Sequence, residues 1–366
     1  MRRADPRFPG MAAVRGMDAR TEQAEESRMS EIAAAGVRPA ARGRLGIGAE
    51  AARGAPDVRR LLQLALAGIW LLDALLQYQA FMFSKGFSHM LAGTASGNPG
   101  TVASPITWNA TLIEHHLVLL NAIFATIQLL IGIGIAWRPT VRVALAASIA
   151  WSLGVWWFGE GLGMVLTGDA SPVNGAPGAV ILYALLAVLL WPADRGPAAP
   201  FTAARAVGAP VARTLWLVLW LSLAYFALLP GNRAPQALHD MIAGMTDGEP
   251  GWLAALDRGA ASLVAHQGLA ASIVLAIALV IVAVGVYLPA PYAKGALVLA
   301  IVIAAVIWGF GEAFGTIFTG GGTDPNSGPL LALLALTYWP ARAAVPAPVR
   351  TAPAPAAAVD EGTAAP

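Results

Sequence analysis

Eight apolar segments separated by polar connections dominate this chain: Leu61 to Phe83, Leu112 to Ala136, Val143 to Glu160, Gly178 to Trp191, Leu215 to Leu229, Leu263 to Leu288, Ala296 to Gly311 and Pro329 to Trp339. A lipid interior offers no water to bond backbone N–H and C=O groups, so a chain crosses it only as a helix or a closed barrel. Most of the segments are near the roughly 20 residues that a spanning helix needs. A composition of 57% hydrophobic and 12% charged residues, with mean hydropathy +0.64, fits the same class. Segments four and eight are short, covering only some 15 to 20 Å at helical rise. The connections before them are therefore expected to dip below the outer surface.

The segments fall into two similar series. Trp156-Trp157-Phe158-Gly159-Glu160-Gly161-Leu162-Gly163 resembles Trp308-Gly309-Phe310-Gly311-Glu312-Ala313-Phe314-Gly315, 152 positions later. The same offset pairs Thr167 with Thr319, Asn174 with Asn326 and Pro177 with Pro329, and an offset of 151 pairs His115 with His266. The expected fold class is all-α: a polytopic membrane protein with eight transmembrane helices, arranged as two tandem four-helix bundle repeats in the same orientation. The expected boundaries are a disordered cytoplasmic tail at 1–57, a first four-helix unit at 58–196, a second at 197–342 and a second cytoplasmic tail at 343–366.

Arginine and lysine set the expected orientation. Ten of them, including Arg59, Arg60, Arg138, Arg142 and Lys294, fall on one side of an eight-span arrangement, against Lys85, Arg233 and Arg258 on the other. By the positive-inside rule both termini face the cytoplasm and the chain is a multi-pass protein of the cell (plasma) membrane. The outer side then carries nine acidic groups, Asp324 among them. Basic residues that lie beside apolar spans speak for topology, not for a nucleic-acid partner. The partner expected from composition is the lipid bilayer.

The absence of cysteine excludes disulfides, thiolate metal sites and cysteine nucleophiles. No phosphate loop, dinucleotide fingerprint or serine elbow is present. What remains is a set of polar residues inside apolar helices. Glu160 and Glu312 each lie 18 positions beyond a basic residue, Arg142 and Lys294, which is roughly 27 Å at helical rise and near the outer edge of the hydrocarbon. Such an acid either handles a ligand or proton or pins the outer loop by accepting backbone hydrogen bonds. His115 and His266 are expected at the same depth, where His115, His266, Glu160 and Glu312 are candidate metal ligands. The bias of histidine and methionine to the outer side, as in His89-Met90, is compatible with copper.

The first series is the more polar. Glu114, Asn121 and Gln128 recur every seven residues on one helix face, where the second has Ala265, Ser272 and Leu279. Asp73, near mid-depth in the first helix, is either an interhelical hydrogen-bond donor or part of a ligand or proton route. The candidate catalytic residues are therefore Glu160, His115 and Asp73. Trp156, Trp157, Asn174, Asn121 and Gln128 are candidates for holding a cofactor.

Residues Asn121 to Leu145, NAIFATIQLLIGIGIAWRPTVRVAL, resemble the central signature of the DoxX/DoxD-like membrane proteins, in which an "ELLIGxxLILG"-like helix precedes a basic turn and a third helix. The resemblance covers roughly residues 59 to 192 and, more faintly, 213 to 342. The family's typical glutamate is Gln128 here and Leu279 in the second series. The resemblance implies a redox-associated protein, because DoxD relatives are associated with thiosulfate oxidation coupled to quinone and DoxX relatives with redox partners at the membrane. A quinone is the cofactor it implies, with a membrane or extracytoplasmic redox protein as partner. Copper and haem are further candidates by ligand chemistry. The functions expected are a quinone or small-reductant site at the outer leaflet, metal binding or small-solute transport at the extracytoplasmic face, or a non-catalytic role in a larger membrane complex.

Overall fold

The computed structural model describes residues 57–194 and 199–341. The tails expected before Asp57 and at 343–366 lie outside the described residues, as do Arg195, Arg342 and Arg350. Among the described residues the regular structure is helical, apart from one isolated antiparallel bridge between Phe201 and Pro340.

The chain runs through α1 (Val58–Leu76), α2 (Lys85–Gly93), α3 (Gly100–His115), α4 (Leu117–Ala136), α5 (Val141–Phe158) and α6 (Ala179–Leu189). A short α7 (Thr202–Val207) follows. Then come α8 (Ala209–Ala227), α9 (Ala237–Gly244), α10 (Gly251–Val264), α11 (Gly268–Gly285), α12 (Ala290–Val306) and α13 (Ser327–Thr337). Five stretches are long and apolar enough to cross a membrane: Leu117–Ala136, Arg138–Phe158, Ala209–Ala227, Gly268–Gly285 and Ala290–Gly311. The 19-residue α1 carries Arg59, Arg60 and Asp73, and α6 and α13 have 11 residues each, about 16 Å of rise.

The expected spans from Leu112 and from Leu263 are each interrupted. The helix breaks at His116 (φ −134°, ψ 38°), and the second break includes His266 at φ 64°. Each break separates a preceding helix, α3 or α10, from the apolar α4 or α11. The seven-residue stripe therefore loses its first member. Glu114 belongs to α3 and meets Lys85 at 3.0 Å, a contact that holds its carboxyl below the usual range, while Asn121 and Gln128 stay together on α4.

One end of the structure gathers the cations of α1 and its neighbours. Arg59 meets Asp194 at 2.8 Å, and Arg205 reaches Asp194 at 3.0 Å and Asp57 at 3.6 Å. The hydrogen bond from Arg205 holds the exposed Asp194 carboxyl below its ordinary value. The Arg60 guanidinium donates to the carbonyls of Ile135 and Ala136, closing the free C-terminal end of α4. Gln63 does the same for α6 through Leu190 O at 2.9 Å.

Close helix approach depends on small residues, as at apolar interfaces where packing replaces hydrophobic drive. A Cβ at Gly132 would lie 2.8 Å from Leu71 Cδ2, so α1 and α4 touch there through glycine. The short helices α6 and α13 pack against each other at the centre. Trp70, Tyr183, Trp216, Trp220 and Tyr338 fill the surrounding core. Their polar ends find backbone and side-chain partners in part: Trp216 Nε1 donates to Val282 O at 2.9 Å and Tyr338 Oη to Ala212 O at 2.5 Å.

Candidate functional site

Polar residues inside this apolar frame converge on a cavity of about 500 Å³ in the first half. Its wall is aromatic, built from Trp70, Phe87, Trp108, Phe124, Trp151 and Phe158. Gln77, Thr94, Asn109, Gln128, Glu160 and Asp324 supply its polar groups. A volume in this range with a few convergent polar atoms is the usual form of a small-molecule site.

Glu160 sits two residues past α5 and reaches across to α6. Its Oε1 accepts the Val180 backbone N–H at 3.3 Å, satisfying an otherwise free donor at that helix N-terminus. Its Oε2 is buried and without a hydrogen-bond partner among the described residues. The backbone gives way for this carboxylate at Gly178, where φ is +107° and a Cβ would stand 2.2 Å from Oε2.

Glu312 makes the corresponding reach from α12 to α13, and both of its oxygens are bonded. Oε1 accepts from the Ser327 N–H at 3.2 Å and from the Ser327 hydroxyl, and Oε2 accepts the Gly328 N–H at 3.0 Å. Ala179 stands at the start of α6 where Ser327 stands at the start of α13, so Glu160 lacks the hydroxyl partner.

The two halves close each other's cavities. Thr323 and Asp324, from the loop before α13, line the first cavity, while Ser171, Pro172 and Val173, from the loop before α6, line a second one of about 450 Å³. Gln79 Nε2 anchors the first crossing to Gly322 O at 3.0 Å, and Asn232 Nδ2 anchors the second to Ala170 O at 2.8 Å. The second cavity is lined by apolar side chains such as Leu238, Leu275, Ile303 and Phe310, with Ser171, Asn232 and Ser272 as its polar members.

The loops also revise the offset between the series. Trp156 Nε1 donates to Pro177 O at 2.7 Å, and Trp308 Nε1 makes the same bond to Pro325 O at 2.8 Å. Pro177 therefore corresponds to Pro325, an offset of 148, and the pairings of Pro177 with Pro329 and Asn174 with Asn326 do not hold. The second loop is four residues shorter between Thr319 and Pro325.

Of the residues singled out from sequence, Glu160 and Gln128 reach the first cavity, and Gln128 Oε1 is buried without a partner among the described residues. Asn121 lies just behind, donating from Nδ2 to Gln77 O at 2.7 Å. Asp73 is buried one turn from Gln77 on α1, beside Tyr183, with Oδ1 unpartnered among the described residues. His115 is exposed at the end of α3 and is not on the cavity wall. His266 is exposed and meets Gln236 at 3.0 Å, so neither histidine joins a glutamate there. Among the described residues no three His, Asp or Glu side chains are grouped to hold a metal. Trp156 is tied to the loop, Trp157 is 47% exposed and stacks on Phe158, and Asn174 is exposed. The aromatic wall falls instead to Trp70, Trp108 and Trp151, which the reading by motif passed over. Gln77 and Asp324 were likewise not among the candidates, although Gln77 stands one helical turn after Asp73 in the sequence.

The fold and site define a helical protein with membrane-length apolar helices and an amphipathic cavity. No family model matches the chain, and neither a curated protein nor a solved structure matches it.

Proposed function

We propose that this chain is a multi-pass protein of the plasma membrane, two tandem four-span units with both termini cytoplasmic, whose first-half cavity binds a quinol-class ring compound. The observation that carries the reading is a cavity lined by aromatic rings and by Gln77, Gln128 and Glu160, whose Oε1, Oε1 and Oε2 are buried and without a hydrogen-bond partner among the described residues. Buried acceptors cost free energy until they are met, so the ligand that fits them brings O–H donors on a flat apolar body. A hydroquinone has that form, with a ring to lie among Trp70, Phe124 and Trp151 and two hydroxyls to donate. The resemblance to the DoxX/DoxD-like proteins points the same way. In this reading the electron acceptor is a separate membrane or extracytoplasmic protein.

Titration of the purified protein with a short-chain hydroquinone, followed by tryptophan fluorescence, tests it. Saturable quenching, weakened about tenfold or more by Glu160→Gln, is the expected result. Absence of saturable binding overturns the reading.

A further inference from the structure

Asp324 lies in the second half of the chain, yet it faces the cavity of the first. Its carboxylate is held in place: Oδ1 accepts the Asn326 N–H at 2.7 Å and Oδ2 accepts the Thr323 hydroxyl at 2.8 Å. The loop beneath it is fixed at both ends, by Gln79 to Gly322 O and by Trp308 to Pro325 O. Each carboxylate oxygen has lone-pair capacity beyond its one bond, so an oriented acceptor remains toward the cavity.

The correspondence of Pro177 with Pro325 puts Ala176 at the position equivalent to Asp324. The loop that closes the polar cavity thus carries a carboxylate, where the other loop has a buried methyl group that stays off its cavity wall of Ser171, Pro172 and Val173.

We propose that Asp324 is a specificity-determining residue of the first-half site, contributed across the halves, and that it accepts a hydrogen bond from a second donor of a hydroxyl-bearing ring ligand. The inference rests on the quinol reading above and extends it. Glu160 and Asp324 are the two carboxylates on that wall, and a hydroquinone has two hydroxyls. The oxidised quinone has no O–H to offer either, so Asp324 favours the reduced form. Neither half holds a complete site alone.

The full-length chain and an Asp324→Asn variant are titrated with a short-chain hydroquinone and with the matching quinone. The amide keeps the size of the side chain and an oxygen for Asn326, but lowers its strength as an acceptor. The expected result is about a tenfold loss of hydroquinone affinity with quinone affinity within about twofold. Retained quinone binding also shows that the variant folds. Unchanged hydroquinone affinity, or an equal loss for both forms, overturns the role of Asp324. If the unsubstituted protein binds neither form, the quinol reading falls as well, which separates the two failures.

Discussion

Glu312 Oε1 accepts the backbone N–H of Ser327 at 3.2 Å, tying the end of α12 to the first turn of α13. The carboxylate closes the N-terminus of a helix that is too short to span, and the Ser327 hydroxyl and Gly328 N–H complete its shell. Glu160 makes a poorer version of the same bridge, leaving Oε2 buried without a partner among the described residues beside the first cavity. The same motif thus has both oxygens bonded in one half and a single oxygen bonded in the other.

Glu312→Ala is expected to cost more stability than Glu160→Ala. Removing Glu312 leaves the Gly328 N–H and the Ser327 hydroxyl unmet, a loss on the order of 1 to 3 kcal/mol, while the Ser327 N–H keeps Asn326 Oδ1 at 2.8 Å; Glu160 is bonded through one oxygen. Thermal unfolding in one detergent ranks the two variants. The reverse order would show that the shells are not as described.

Gly178→Ala is expected to disturb the bridge from Glu160. The residue must hold φ +107° and its Cβ would stand 2.2 Å from Oε2, so backbone strain of about 1 to 3 kcal/mol adds to displacement of the carboxylate. Gly68→Ala within α1 meets nothing within 4 Å and is expected to be neutral or to gain about 0.5 to 1 kcal/mol. Equal melting temperatures for the two variants would contradict this.

How much of this was legible in the sequence varies with the kind of interaction. Apolar runs, and the short helices near Gly178 and Ser327, follow from local hydropathy. The polarity of the first series is visible at Asp73, Asn121 and Gln128 because charged or amide groups stand out among leucine and isoleucine. The breaks at His116 and His266 are harder to see, since their only mark is a short polar cluster, Glu114-His115-His116 or His266-Gln267, inside a long apolar run. The crossing of Asp324 into the opposite cavity is tertiary, and a four-residue difference in loop length hides the equivalence of Pro177 and Pro325. Exposure of His115 depends on which way α3 turns, which residue type alone does not state.

Gln128→Leu installs the residue type found at Leu279. It removes a buried, unpartnered Oε1, so the variant is expected to match or exceed the native melting temperature while losing hydroquinone binding. A variant that loses stability and keeps binding would contradict the role of this wall.

Glu249 and Asp257 lie outside the membrane-length helices. Burial, followed by the Asp257 charge, pushes the Glu249 carboxyl up to about 7. A carboxyl raised above its unfolded value of about 4.3 favours the folded state at low pH. That contribution is fully present below about 4.3 and is lost as pH rises through about 7. Glu249→Gln should therefore gain melting temperature relative to the native chain between about pH 5 and pH 8. Parallel curves for the two proteins would contradict the assignment.

The central claim is that the first cavity, and not the second, receives a donor-bearing ring. A density map of the protein with a short-chain hydroquinone tests this most directly. The account predicts ring density among Trp70, Phe124 and Trp151, with one hydroxyl at Glu160 Oε2 and none in the cavity beside Phe310. An empty first cavity at saturating ligand, or density confined to the second, would contradict it.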